Sequence, residues 1–169
     1  MLKPTLMCLV GLTSLLICAP QTPAAAPAAG VAMTPTARAD AAAKGSLKNP
    51  YQDSDAAVVA AGSKLYQGYG CNGCHGGNGG GGMCPPLTND IWIYGGDDDT
   101  LFRLMAYGTQ TLQSKGYSRI ATEQVVGPMP GFGQIVKSDD EMWRILTFMR
   151  ANYSGAPECK FGCKGHKDH

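Results

Sequence analysis

Cys71, Cys74 and His75 lie in the run Cys71-Asn72-Gly73-Cys74-His75, where two thiols three positions apart are followed directly by an imidazole. Each thiol can add across a vinyl group of haem to form a thioether, and the histidine then lies under the same macrocycle as an iron ligand. Two cysteines at this spacing also suit a redox dithiol or half of a zinc site, and a disulfide beside a chance histidine is the plainest alternative. The histidine after the pair, an export-like N-terminus and a methionine loop downstream favour one covalently attached haem c.

An iron held by one histidine needs a second ligand or keeps an open site. Beyond the motif stand Met83, Met105, Met129, Met142 and Met149. Met142 and Met149 share one face of a helical pattern, where methionine is usually core filling, and Met105 sits beside Leu101, Phe102 and Leu104 in another. Met83 is eight residues from His75 and falls on the same side of any ring. Met129 differs. It stands in Gly127-Pro128-Met129-Pro130-Gly131-Phe132-Gly133, which cannot be helical, and the flanking prolines stiffen an extended backbone that presents the thioether. Met129 is therefore the expected partner of His75, with an apolar loop anchor as its alternative role. His166 and His169, at the extreme end, are poorly placed for a core.

Three stretches carry the helical periodicity needed to position these groups. The first spans about 55–67, with Ser54 as a possible cap and an apolar stripe through Val58, Val59, Gly62, Leu65 and Tyr66. Glycine is costly inside a helix, so Gly62 predicts a close crossing by another helix. The second spans about 99–107, opened by Asp97-Asp98-Asp99, whose charges complement the helix dipole, and stopped by Gly108. The third spans about 139–152, where Ser138 and Glu141 make a capping box and Met142, Ile145, Leu146 and Met149 share a face. Nine glycines fall in the fifteen positions 68–82. Two matches there to a dinucleotide fingerprint lack a preceding strand and are chance. The expected use of these glycines is backbone packed against a flat macrocycle. No strand series or internal repeat is evident, so the expected architecture is all-α, with short helices and long loops around a cofactor.

At 169 residues the chain has room for one ordinary domain. Lys3, the apolar run from Leu6 to Ala19 and small-residue sites at Ala24-Ala25-Ala26 and Ala37-Arg38-Ala39 describe a secretory signal peptide. Cleavage is expected near Ala26, with the Ala39 site second. Ile17 argues against lipidation at Cys18. Residues 27–50, rich in Ala and Pro with few large apolar side chains, are expected to be a flexible linker. The folded domain is then 51–154, and 155–169 is a tail bearing Cys, Lys and His. The formal net charge is +1, without the basic stripe of a nucleic-acid binder. The export signal makes the periplasm the expected location, and no second apolar segment is long enough to anchor the mature chain in a membrane.

The haem motif, the Gly62/Tyr66 helix, the Pro-Met-Pro loop and the aromatic last helix together resemble a class I c-type cytochrome. That resemblance implies the small all-α haem fold, in which the helix of Gly62 and Tyr66 crosses the helix of Trp143, Ile145 and Leu146. It also implies that the carbonyl of Pro85, in Cys84-Pro85-Pro86-Leu87, accepts the hydrogen bond of the proximal histidine. Gly79 to Met83, Trp92-Ile93-Tyr94-Gly95-Gly96, Leu101-Phe102, Val126 to Met129 and Asp140 to Trp143 are similar to the cytochrome c-L type. This narrower likeness implies a periplasmic electron carrier reduced by a pyrroloquinoline-quinone (PQQ) methanol or alcohol dehydrogenase, lanthanide-dependent ones included, and oxidised by another cytochrome or an oxidase. Cys84 in place of glycine, the stretch 109–125 and the cysteine-bearing tail depart from the pattern.

Cys84, Cys159 and Cys163 remain outside the haem motif. An oxidising compartment favours disulfides, and Cys159–Cys163 would close a small loop. Cys84 could instead bridge to either, and the tail thiols with His166 and His169 could hold a metal, although their spacing departs from a zinc finger. Two functional readings compete with a freely diffusing carrier. One is a peroxidase-like enzyme or ligand sensor with an open sixth position, which lacks a second histidine in 51–154 to act as acid–base. The other is a tightly bound subunit of a dehydrogenase complex.

Overall fold

The computed structural model describes residues 32–123 and 125–163. The expected signal peptide, 1–26, and His166 and His169 lie outside the described residues. Among the described residues, five α-helices, α1 (Pro35–Ala41), α2 (Ala56–Gly68), α3 (Cys71–His75), α4 (Asp98–Ser114) and α5 (Asp139–Ala151), are followed by a 3₁₀ turn, Pro157–Cys159. No strand occurs among the described residues, in agreement with the all-α expectation.

Asp55, one residue beyond the expected Ser54, caps α2 by accepting from the N–H groups of Ala57 and Val58. On α5, Ser138 accepts from Glu141 N–H at 3.2 Å. The Glu141 carboxylate is engaged by two donors near the helix start. It accepts from Lys137 N–H at 3.3 Å and from the Tyr69 hydroxyl at 2.5 Å, tying the end of α2 to the start of α5. The two helices cross at Gly62, where a Cβ would fall on the Arg144 carbonyl and within 2.9 Å of Phe148 Cβ. One turn further on, the Tyr66 and Phe148 rings meet at 5.2 Å between centroids. Gly62 thus does what its place in the apolar stripe predicts.

Within the segment 27–50, expected to be a flexible linker, the described residues 32–50 are ordered against the core. Thr34 caps α1, Pro35 occupies its first turn, and Ala39 and Leu47 are buried in the core. Arg103 on α4 donates to the carbonyls of Ala39, Ala42 and Ala43 at 2.6, 2.9 and 3.0 Å, while its Nε pairs with Asp99 at 2.8 Å. Asp99 in turn accepts from Leu47 N–H at 3.1 Å. The arm therefore docks through its backbone against a buried ion pair, and its alanines allow the close approach. A reading based on large apolar side chains does not see this. The folded unit reaches back well before residue 51, and the second candidate cleavage site, at Ala39, falls inside α1.

Two further differences bear on the site. α4 does not end at Gly108; it breaks there, at φ 72° and ψ 172°, and resumes to Ser114. The tail up to Cys163 is packed: Cys159 and Cys163 form a disulfide, Trp92 Nε1 donates to the Cys159 carbonyl at 2.8 Å, and the buried Arg150 bonds the Lys160 carbonyl. Cys84 is a free thiol.

Candidate cofactor site

Cys71, Cys74 and His75 occupy positions i, i+3 and i+4 of the short helix α3, which puts two sulfurs and one imidazole on a single face. Gly70, at φ 78°, provides the left-handed turn between α2 and α3. The three side chains line one wall of a cavity of about 710 Å³. Burial pushes the Cys71 thiol above its ordinary value.

Past His75 the chain doubles back. Gly81 N–H bonds the His75 carbonyl at 2.9 Å, Cys84 N–H the Cys74 carbonyl at 3.0 Å, and Leu87 N–H the Gly79 carbonyl at 2.7 Å. Gly76 is at φ 77°, and a Cβ there would lie 2.5 Å from the Gly81 carbonyl oxygen. The glycine-rich run thus makes a tight return loop, and of its nine glycines Gly70 alone lines the cavity. This replaces the expectation that they pack against a macrocycle. The loop delivers Pro85, whose carbonyl lies 2.7 Å from His75 Nδ1. A carbonyl can only accept, so Nδ1 carries the proton and Nε2 keeps its lone pair. Tyr66, fully buried, donates to the Gly76 carbonyl at 2.8 Å and braces the same loop.

Four methionines line the cavity: Met83, Met105, Met129 and Met149. Met105 and Met149 are buried on α4 and α5, whereas Met83 is 58% exposed. Met129 is half-buried on the non-helical Pro-Met-Pro segment and packs against the core. Met142 is wholly buried outside the cavity wall.

One sector of the wall is polar and has no counterpart in the sequence reading. Thr109, Gln110, Gln113 and Arg119 contribute to it, all from the stretch 109–125. Gln113 donates to the Tyr94 hydroxyl at 2.9 Å, while the buried Thr109 hydroxyl has no partner. The helical spacing of Thr109 and Gln113 beyond a glycine break was the available signal. An apolar cavity with two thiols, an imidazole of fixed tautomer, thioethers and one polar sector with an unsatisfied hydroxyl fits a haem, which is apolar except for its propionates. Among the described residues no group of three or more His, Cys, Asp or Glu side chains could by itself hold a metal ion, and no helix is long and apolar enough to cross a membrane.

Residues 59–152 match the family model described as Cytochrome c. No curated protein matches the chain. Among solved structures, cytochrome c-L from the marine methylotrophic bacterium Methylophaga aminisulfidivorans is 23% identical, with a TM-score of 0.47. That alignment covers 64% of this chain and 61% of the other, so it spans about three-fifths of that protein's length.

Proposed function

The chain belongs to the cytochrome c family, and from this premise we propose that it is a periplasmic one-electron carrier with a single haem c attached through Cys71 and Cys74. When bound, haem supplies a one-electron ferric/ferrous couple. In this reading His75 and Met129 would hold the haem iron. The observation that carries it is the 2.7 Å contact between His75 Nδ1 and the Pro85 carbonyl, beside two thiols on the same helix face. That contact leaves Nε2 free to ligate and fixes the plane of the imidazole.

The protein's own part is to hold, orient and exclude water. The apolar wall formed by α4, α5 and the Pro85–Leu87 turn lowers the local dielectric and disfavours the more highly charged iron state. A thioether ligand from Met129 acts in the same direction, raising the potential. The stiff Pro-Met-Pro segment keeps that ligand in one place in both oxidation states, so little reorganisation accompanies transfer.

The electron donor in this reading is a PQQ-dependent methanol or alcohol dehydrogenase, and the acceptor a second cytochrome or an oxidase. The c-L-like segments around Trp92 to Gly96 and Val126 to Met129 support that choice. Stopped-flow reduction by purified quinoprotein dehydrogenases tests it: the expected result is reduction much faster than that of an unrelated cytochrome, and equal rates would sink the donor assignment. The ligand assignment is tested separately. The oxidised holoprotein should show the sulfur-to-iron charge-transfer band, Met129→Ala should abolish it, and a band that survives would exclude Met129. Ready binding of carbon monoxide by the wild type would instead favour an open-site enzyme or sensor.

A further inference from the structure

The break in α4 and the Met129 segment are built into each other. In an unbroken helix Thr109 N–H would donate to the Met105 carbonyl. At Gly108 the ladder opens: Thr109 N–H donates to the Met129 carbonyl at 3.0 Å, and the freed Met105 carbonyl accepts from Phe132 N–H at 2.8 Å. Gly133 N–H adds a third bond, to the Ala106 carbonyl, at 3.0 Å. Three backbone hydrogen bonds thus fasten 129–133 across the gap in the helix.

Only glycine permits this arrangement. φ 72° with ψ 172° is a region that residues with a side chain essentially never occupy. A Cβ at Gly108 would also lie 2.5 Å from Gly131 N, 2.6 Å from the Met129 carbonyl oxygen and 2.7 Å from the Pro130 carbonyl carbon. The opposing face is equally tight, since a Cβ at Gly131 would meet the Tyr107 carbonyl oxygen at 2.6 Å. All of these contacts are backbone and cannot swing aside as a side chain would.

We infer that Gly108 is a positioning residue for Met129: the break it makes in α4 is the seat of the ligand segment, and the missing side chain sets how close the thioether comes to the iron. The inference rests on Met129 being the axial ligand. With Gly108 replaced, the segment must back away from α4, and the Met129 bond to iron weakens or breaks while His75 and the thioethers are untouched.

The test uses ferric holoprotein and two readouts, the sulfur-to-iron charge-transfer band and the affinity for added imidazole, which competes for the methionine position. Gly108→Ala and Gly131→Ala should lose most of the band and bind imidazole about tenfold or more tighter than the wild type. Gly131→Ala approaches the same contact from an ordinary backbone conformation, so it carries the test if Gly108→Ala yields no holoprotein. Gly116→Ala is the control. Gly116 is at φ 83° with nothing within 4 Å of its absent Cβ, so alanine there strains the backbone without touching the segment. It should lower thermal stability and leave both readouts unchanged. Full retention of band and imidazole affinity in Gly108→Ala and Gly131→Ala, with Met129→Ala lacking the band, would overturn the inference alone. An equal loss in Gly116→Ala would also overturn it. A band that persists in Met129→Ala would remove the ligand reading on which the inference stands.

Discussion

Tyr66 shows how one side chain links packing to the site. Its ring is fully buried against Phe148, and its hydroxyl reaches the Gly76 carbonyl just after the haem motif. That carbonyl also accepts from Gly79 N–H at 3.1 Å, so removing the hydroxyl leaves no orphaned acceptor. Tyr66→Phe should therefore cost about 1 kcal/mol, the net value of one hydrogen bond, and not the larger penalty of an unsatisfied buried group. Denaturant melts of the holoprotein would measure this, and a loss of about 3 kcal/mol or more would mean that the return loop depends on Tyr66 for its conformation. Burial also pushes the phenol up to about 12, so it stays a neutral donor at any physiological pH.

Between elements, the decisive contact is the crossing of α2 and α5. In an exposed helix Gly→Ala gains about 1 kcal/mol of propensity. At Gly62 the added methyl would fall on the backbone of Arg144, so the helices must separate and the sign reverses. Gly62→Ala should destabilise by about 1–3 kcal/mol, as overpacking does, and scanning calorimetry decides the sign. A stabilised variant would mean that the helices can slide apart at no cost. The docking of α1 is a different kind of contact. It depends on the buried Asp99–Arg103 pair, and Asp99→Asn would leave the guanidinium buried with an uncompensated charge. The expected loss is about 3–5 kcal/mol. Limited proteolysis should then cut first within 32–50, and unchanged protection there would argue that the arm holds without the pair.

For the molecule as a whole, these titratable groups set a pH window. Burial pushes the Asp99 carboxyl up, but hydrogen bonds from Arg103 and from the Gly45 and Leu47 N–H groups outweigh it and hold the group below its ordinary 3.8. A lowered folded value contributes stability above the unfolded value and loses it as pH falls through the folded one. Stability should therefore decline below about pH 4. Tyr66, Tyr107 and Tyr117 are pushed up to about 12, chiefly by burial. Their contribution is complete below about pH 10 and is lost as pH rises toward 12. Denaturation midpoints measured across pH should show a plateau between these limits, with the acid edge moved in Asp99→Asn. An acid edge that stays put would transfer the effect to other carboxylates.

The local arrangement of the candidate site was legible in sequence because it needs only neighbouring residues. Cys71, Cys74 and His75 share a face by helical spacing alone, Pro128 and Pro130 exclude a helix around Met129, and Gly62 stands out within an apolar stripe. These statements need only bond geometry and a short stretch of chain. Tertiary structure alone decided the rest, because each remaining feature joins segments far apart in the chain. The alanine-rich arm folds because Arg103, some sixty residues away, satisfies its carbonyls. Gly108, which reads as a helix stop, becomes a seat for the methionine segment because the N–H groups of Phe132 and Gly133 bond the carbonyls of Met105 and Ala106 beside the break. Backbone hydrogen bonding between distant segments leaves no periodic trace in residue type, so it became visible only when the chain had closed on itself.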